Sequence, residues 1–205
     1  MTGVEVAVFA RAPVAGEAKT RLIPLLGADG AAHLQARLLA AAVAKAAALP
    51  GAACSLWVAG DANHPAITAA AARHRIPIEA QIGADLGQRM HHAMVVALSR
   101  HGHCLIIGTD CPALTTAHLA EAAQALQTHD VVLGPAEDGG YVLIGLTRPR
   151  PDLFEGIAWG SNTVLSATRQ RIRDVGLRLH LLPALPDLDT PDDYRHAQAQ
   201  GWLPA

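Results

Sequence analysis

The stretch CLIIGTDCP, residues 104–112, decides the fold prediction because it joins a buried strand to a polar turn. Its first part, Cys104 to Gly108, is continuously apolar, which is typical of a strand covered on both faces in a parallel sheet. Asp110 follows two residues later, and Pro112 makes the chain turn. Ligands of open α/β sheets bind beyond the carboxyl ends of the strands. The sequence therefore predicts that Asp110 lies at a ligand-binding edge.

Strands and helices alternate on both sides of this stretch. Apolar runs predict strands at residues 4–10, 54–59, 76–80, 104–108, 131–134, 141–145 and 177–182. Helical patterns lie at residues 29–49, 65–73, 88–99, 115–126, 162–175 and 191–200. The alternation predicts an α/β fold with three layers, α/β/α, around a mostly parallel sheet. Two strands follow each other directly around Asp138, so we expect the sheet to be mixed.

Length and composition limit the class of protein. The chain has 205 residues, 51% of them hydrophobic, and a formal net charge of −2. This length suits a single domain over residues 1–205, and the balanced charge argues against nucleic-acid partners. We expect no membrane span and no secretory signal, since the chain has neither a long apolar run nor a basic leader. Three cysteines without a CxxC motif favour the cytoplasm. The oligomeric state stays open.

The loop after the first predicted strand carries three cations. Arg11, Lys19 and Arg21 flank Gly16, whose backbone permits close approach of an anion. The loop matches neither GxGxxG nor GxxxxGK[ST], so a dinucleotide fingerprint and a P-loop are both excluded. We predict that it binds phosphate groups. The alternative is a solvated loop with ordinary surface charges.

Carboxylates at two strand ends predict a divalent cation. Asp110 is one candidate ligand, and the segment DLDTPDD, residues 187–193, provides Asp187 or Asp189 as a second. Such a site suits Mg²⁺ or Mn²⁺, which bind few carboxylates together with substrate phosphates. Thr190 and Asp193 form a capping pattern, so the whole acidic run could instead serve the helix start.

Two glycine-containing loops are weaker candidates. Residues 81–90 could hold a base, a ribose or a phosphate, although Asp85 also suits a helix cap. Residues 137–141 suit either a plain hairpin turn or a close approach of substrate to backbone. The adjacent histidines do not have the ligand spacing of a zinc site. No feature of the sequence around Cys111 marks it as a nucleophile.

Five of these segments together resemble a known family. They are FARAPVAGEAKTRL, QIGADLGQRM, IGTDCPAL, GPAEDGGYVLIGL and DLDTPDDY. In this order they resemble the small bacterial GT-A-type glycosyltransferases of the selenodomain-associated, or arsenosugar-biosynthesis, transferase group. The chain is more distantly similar to 2-phospholactate guanylyltransferase and to the molybdenum-cofactor nucleotidyltransferases. The resemblance implies a GT-A (nucleotide-diphospho-sugar transferase) fold, a nucleotide donor and Mg²⁺ or Mn²⁺.

The resemblance also implies roles for individual residues. Asp110 and Lys19 would have catalytic roles. Arg11, Gly16, Lys19 and Arg21 would bind the donor phosphates. The nucleotide side would be lined by Asp85, Gly87 and Arg89, and the acceptor side by Asp138, Gly139, Gly140 and Tyr141. The metal would be held by Asp110 with Asp189 or Asp187.

The expected function is transfer from a nucleotide donor to a small-molecule acceptor, with a preference for glycosyl transfer from a nucleotide sugar. Nucleotidyl transfer from a nucleoside triphosphate is the first alternative, because the cationic loop suits a triphosphate equally well. A non-catalytic nucleotide-binding module is the second. The donor base, the sugar and the acceptor are not given by the sequence.

Overall fold

The computed structural model describes residues 3–203 and contains one seven-stranded sheet. The strands are β1 Val4–Arg11, β2 Ala52–Ala59, β3 Ile78–Ala80, β4 His103–Ile107, β5 Val131–Pro135, β6 Tyr141–Leu146 and β7 Leu179–Leu181. Their order across the sheet is β3-β2-β1-β4-β6-β5-β7. β6 runs antiparallel to both of its neighbours, β4 and β5, and the other pairs are parallel. The predicted mostly parallel, mixed α/β sheet is confirmed.

Helices cover both faces of the sheet. They are α1 Ile23–Ala47, α2 Pro65–His74, α3 Leu86–Arg100, α4 Thr116–Ala125, α5 Val164–Asp174 and α6 Pro191–Ala199. Short 3₁₀ helices span Thr20–Leu22 and Pro151–Leu153. Buried residues of α1, α2 and α4 form one core, and those of α3 and α5 form another. None of the helices described within residues 3–203 combines the length and apolar character needed to cross a membrane.

β1 shows why a buried parallel strand reads as a continuous apolar run. Val6, Val8 and Ala10 belong to the core on one face, while Ala7 and Phe9 belong to the core on the other. Side chains alternate between faces along a strand, so both sets are apolar only when both faces are covered. The chain proceeds from β1 to β2 on one side and places β4 on the other. A crevice is expected where the strand order reverses in this way.

The start of α1 differs from the sequence prediction for an identifiable reason, and the start of α6 confirms it. α1 begins at Ile23, six residues before the predicted start, and includes a break at Gly27, where φ is 72° and ψ is 167°. Only glycine adopts such a conformation readily, and the helical periodicity resumes just beyond it. At α6, the predicted capping pattern is present. Thr190 accepts a hydrogen bond from the Asp193 backbone, and Asp193 accepts one from the Thr190 backbone.

The loop between β5 and β6 is attached to the segment that leads into α5. The Leu165 N–H donates to the Gly139 carbonyl at 2.9 Å. A Cβ atom at Gly139, where φ is +92°, would lie 2.2 Å from the Asn162 carbonyl oxygen. The backbone that approaches Gly139 therefore belongs to the chain itself.

This contact predicts a large cost for Gly139→Ala. We expect a loss of about 3 kcal/mol in unfolding free energy from the positive φ and the steric overlap together. Gly160→Ala is the matched control, because its φ is +82° and no atom lies within 4 Å of the added Cβ. We expect it to cost only about 1 kcal/mol. Urea denaturation of both variants provides the comparison, and equal losses would contradict the contact.

Candidate active site

A cleft of about 1100 Å³ opens at the carboxyl ends of β1, β2 and β4. Its walls come from the end of β1 and the loop that follows, the end of β2, the segment before and into α3, and residues 108–110. Asp189 completes the wall from the far end of the chain. The cleft therefore lies in the crevice that the strand order predicts.

Lys19 connects the two acidic segments at this cleft. Its side chain is only 4% exposed, and its Nζ lies 2.9 Å from Asp110 Oδ1 and 2.8 Å from Asp189 Oδ1. The same Nζ donates to the Leu188 carbonyl at 2.5 Å. The contacts with Leu188 and Asp189 are hydrogen bonds, and the contact with Asp110 is an ion pair. They direct the ammonium of Lys19 to the carboxylates, so its phosphate-binding role stays a prediction.

Electrostatic attraction keeps Lys19 in place although its backbone conformation is unfavourable. Its φ of 47° and ψ of 46° lie in the left-handed region, which costs a non-glycine residue about 1 kcal/mol or more. Burial lowers the pKa of Lys19, but the charges of Asp110 and Asp189 outweigh burial, so that its pKa is raised. The ammonium is therefore charged at neutral pH.

Asp110 is held from two directions. Gln35, buried on α1, donates to Thr109 Oγ1 at 2.8 Å, and this hydroxyl donates to Asp110 Oδ1 at 3.3 Å. The Leu188 N–H donates to the Asp110 carbonyl at 2.9 Å. Sequence reasoning missed Gln35 and Thr109. A polar Gln35 inside an Ala/Leu-rich helix was the available signal, since buried amides occur where they have a partner.

Asp187 and Asp189 face different cavities. Asp189 lines the main cleft, whereas Asp187 lines a separate pocket of about 290 Å³ beside Glu137 and Trp202. The pKa of Asp187 is raised to about 7, mainly by burial and then by the charges of Asp138, Asp110 and Asp189. The geometry thus groups Asp189 with Asp110, and the choice of Asp189 as the second metal ligand stays a prediction.

Arg11 and Arg21 are two cations of the cleft that are available for anionic ligands. Both are exposed and line the cleft. Within the described chain, neither guanidinium has an ion pair or a hydrogen bond from its side chain. Gly16 has a φ of +87° and open space around it, but it lies outside the cleft lining.

The residues predicted for the nucleotide side divide into two groups. Asp85 and Arg89 line the cleft. Asp85 caps α3 by accepting from the Gln88 N–H, and Arg89 Nε donates to the Gly83 carbonyl. Gly87 is buried instead, since a Cβ there would lie 2.7 Å from Trp159 Nε1. Packing against Trp159 is sufficient to explain this glycine.

The residues predicted for the acceptor side lie outside the main cleft. Asp138 accepts from the Gly140 N–H at 2.8 Å, which closes a local turn. Tyr141 has a buried hydroxyl, and burial raises its pKa. Its ring meets Trp159 edge-on, with the ring centroids 6.4 Å apart. These positions have structural explanations, so their acceptor role stays a prediction without support from the geometry.

The carboxylates of Asp110 and Asp189 fit a hard divalent cation whose remaining ligands come from a substrate. Both carboxylates are about half exposed, 49% and 47%, and converge on one positive charge. Residues 3–203 contain no cluster of three or more acidic, histidine or cysteine side chains arranged as a metal site. Mg²⁺ commonly takes one or two carboxylates and completes its shell with phosphates and water. The arrangement accordingly suits a cation that arrives with an anionic ligand.

Comparison with known sequences gives the family. The profile described as "Uncharacterized protein conserved in bacteria (DUF2064)" matches residues 39–161. The chain belongs to the DUF2064 family. None of the curated proteins matches it.

Solved structures support the same fold for the DUF2064 chain. A Desulfovibrio desulfuricans protein assigned as a nucleotide-diphospho-sugar transferase is 34% identical, with a TM-score of 0.84 over 93% of this chain and 84% of that one. A 4-diphosphocytidyl-2C-methyl-D-erythritol synthase from Anaerococcus prevotii is 9% identical, with a TM-score of 0.65 over 97% and 96% of the two chains. Glucosyl-3-phosphoglycerate synthase from Mycobacterium tuberculosis, solved with Mn²⁺ and UDP, is 10% identical, with a TM-score of 0.58 over 97% and 76%. The predicted nucleotide-diphospho-sugar transferase fold is confirmed.

The raised pKa of Asp187 predicts a pH-dependent effect of Asp187→Asn. A carboxyl whose pKa is about 7 in the folded state and about 4 in the unfolded state stabilises the fold below pH 4. This contribution is lost progressively as the pH rises from about 4 to about 7. We expect Asp187→Asn to change the unfolding free energy by less than about 1 kcal/mol at pH 4.5. At pH 8 we expect it to increase the unfolding free energy by about 2 kcal/mol, roughly half of what the full shift would give, because Asp187 is partly exposed to solvent.

Urea denaturation in EDTA at both pH values measures this difference. Asp192→Asn is the matched control, because Asp192 lies in the same acidic segment with a 92% exposed side chain. An equal effect of Asp187→Asn at the two pH values would contradict the raised pKa.

Proposed function

We propose that this DUF2064 protein is a metal-dependent transferase that binds a nucleotide donor in the main cleft. The observation that carries the proposal is the convergence of Asp110 and Asp189 in a cleft that Arg11 and Arg21 also line, with neither arginine in an ion pair within residues 3–203. Carboxylates that suit a divalent cation and arginines that suit phosphates are the two requirements of a nucleoside diphosphate site.

Each residue contributes by binding or orientation. Arg11 and Arg21 bind donor phosphate oxygens and share the charge that develops on the leaving group. Thr109 and Gln35 orient Asp110 for its role as a cation ligand. A bound Mg²⁺ or Mn²⁺ supplies further neutralisation of the leaving diphosphate. No covalent nucleophile is required, as in phosphoryl transfer, where positioning and electrostatics provide most of the acceleration.

We favour glycosyl transfer from a nucleotide sugar. The 34% identical Desulfovibrio protein is named for nucleotide-diphospho-sugar transfer, which supports this choice. Membership of the selenodomain-associated or arsenosugar-biosynthesis group, a single-domain organisation over residues 1–205 and a cytoplasmic location are further parts of the proposal.

Nucleotidyl transfer is the alternative that a specific observation favours. Arg11 and Arg21 line the cleft and have no side-chain partner among the described residues, and two such guanidinium groups suit a triphosphate as well as a diphosphate. Cytidylyltransferases share the fold at low identity, so the fold alone does not separate the two reactions.

A ligand panel distinguishes these reactions. Nucleotide sugars and nucleoside triphosphates are added with Mn²⁺ or with EDTA, and the melting temperature is recorded. A ligand at 100 times its Kd stabilises the fold by about 2.7 kcal/mol. Glycosyl transfer predicts a metal-dependent shift with a nucleotide sugar, and nucleotidyl transfer predicts one with a triphosphate only. A shift of equal size in EDTA, without turnover, would support a non-catalytic nucleotide-binding module instead.

Asp110→Asn tests the proposed metal ligand. The amide keeps the shape of the side chain and can accept from Lys19, but it removes the charge that binds a cation. We expect the protein to remain folded and to lose the metal-dependent part of the ligand-induced shift in melting temperature. We also expect kcat/KM to fall about 1000-fold or more.

The control is Asp192→Asn, which removes an acid that is exposed on α6 and paired with Arg195. We expect it to behave as the unmodified protein. An Asp110→Asn protein with full turnover would show that the cleft does not work through this carboxylate.

A further inference from the structure

Lys19 occupies the position on which Asp110 and Asp189 converge. Its ammonium contacts Oδ1 of both carboxylates at 2.9 and 2.8 Å. A divalent cation bound by the same two oxygens would require distances of about 2.0–2.1 Å to each. Lys19 and the cation therefore compete for these oxygens.

The surroundings of Lys19 carry more negative charge than one ammonium neutralises. Asp110 and Asp189 both contact the Lys19 ammonium, so two carboxylates share one positive charge. Lys19 is the cation that these two carboxylates contact within residues 3–203. Removal of the ammonium would leave an environment that attracts a cation strongly.

The phosphates of a donor provide the force that could remove Lys19 from the pair. Arg11, at the end of β1, and Arg21, in the 3₁₀ helix Thr20–Leu22, flank the loop that carries Lys19, and all three line the cleft. Phosphate groups held by the two arginines would bring negative charge to the wall where Lys19 lies. An ammonium that moves from carboxylate to phosphate oxygens exchanges one set of charged hydrogen bonds for another.

We propose that Lys19 is an exchangeable counter-ion, whose ammonium keeps the Asp110–Asp189 pair closed to divalent cations until the phosphates of a donor draw it away. This inference rests on the proposed function and adds an order of binding. The metal binds weakly by itself and tightly together with a diphosphate. Lys19 is accordingly a positioning residue in the free protein.

The composition of the chain makes Lys19 directly observable. Lys19 and Lys45 are the two lysines among its 205 residues. Lys45 is partly buried and donates to the Pro112 carbonyl at 2.7 Å, outside the cleft. Protein labelled with ¹⁵N-lysine therefore gives at most two side-chain NH₃⁺ signals, and the Lys45→Arg variant assigns them.

The first experiment follows these signals during titration with MgCl₂ and sodium pyrophosphate. We expect MgCl₂ alone to leave the Lys19 signal nearly unchanged. Addition of pyrophosphate with MgCl₂ shifts or removes the Lys19 signal and leaves the Lys45 signal in place. A Lys19 signal unchanged while calorimetry shows that both ligands bind would overturn the exchange and leave the proposed function intact.

The second experiment measures Mn²⁺ affinity by calorimetry without any phosphate. Lys19→Met removes the competing charge and keeps the length of the side chain, so we expect the Kd for Mn²⁺ to fall about tenfold. Lys45→Met is the matched control, with a Kd within about twofold of the unmodified protein. An unchanged or weaker Mn²⁺ affinity in a folded Lys19→Met protein would overturn the inference.

Failure of the proposed function gives a different result. Absence of binding of Mn²⁺ and pyrophosphate to both the unmodified protein and Lys19→Met would reject the metal-dependent site, and with it the exchange. If Lys19→Met does not fold, the lysine signals of the unmodified protein still decide the question.

Discussion

The buried ammonium of Lys19 joins three parts of the chain that are distant in sequence. It comes from the loop after β1 and contacts Asp110 beyond β4 and Asp189, which is 170 residues away along the chain. The backbone of Leu188 supports the same junction through Asp110. A buried charge that loses its partners is strongly destabilising, so each of the three segments depends on the other two. The walls of the cleft are therefore fixed by one polar cluster as well as by the apolar core beneath the sheet.

The fold was largely predictable because it follows from local patterns. Continuous apolar runs such as residues 104–108 indicate strands that are covered on both faces, and Thr190 marks the start of α6 through its capping pattern. The position of Asp110 at the cleft follows from the same reasoning, because the carboxyl ends of parallel strands meet at one edge. Boundaries were less predictable where a single residue interrupts a pattern, as Gly27 does within α1.

The details of the site depended on contacts that no local pattern reports. The inward direction of Lys19 needs a left-handed backbone and partners far along the chain, so its sequence neighbourhood suggested a phosphate ligand instead. Gly139 shows a second limit, because a glycine is needed equally whether a substrate or the chain's own backbone approaches it. Tyr141 illustrates a third, since its aromatic ring suits a binding site but its hydroxyl is buried.

A crystal structure of the protein with Mn²⁺ and a nucleoside diphosphate tests the central claim most directly, because anomalous scattering locates the manganese itself. We expect one anomalous peak within coordination distance of Asp110 and Asp189, with the diphosphate oxygens against Arg11 and Arg21. Manganese bound elsewhere, or a diphosphate bound away from these arginines while the carboxylates stay on Lys19, would contradict the proposed active site.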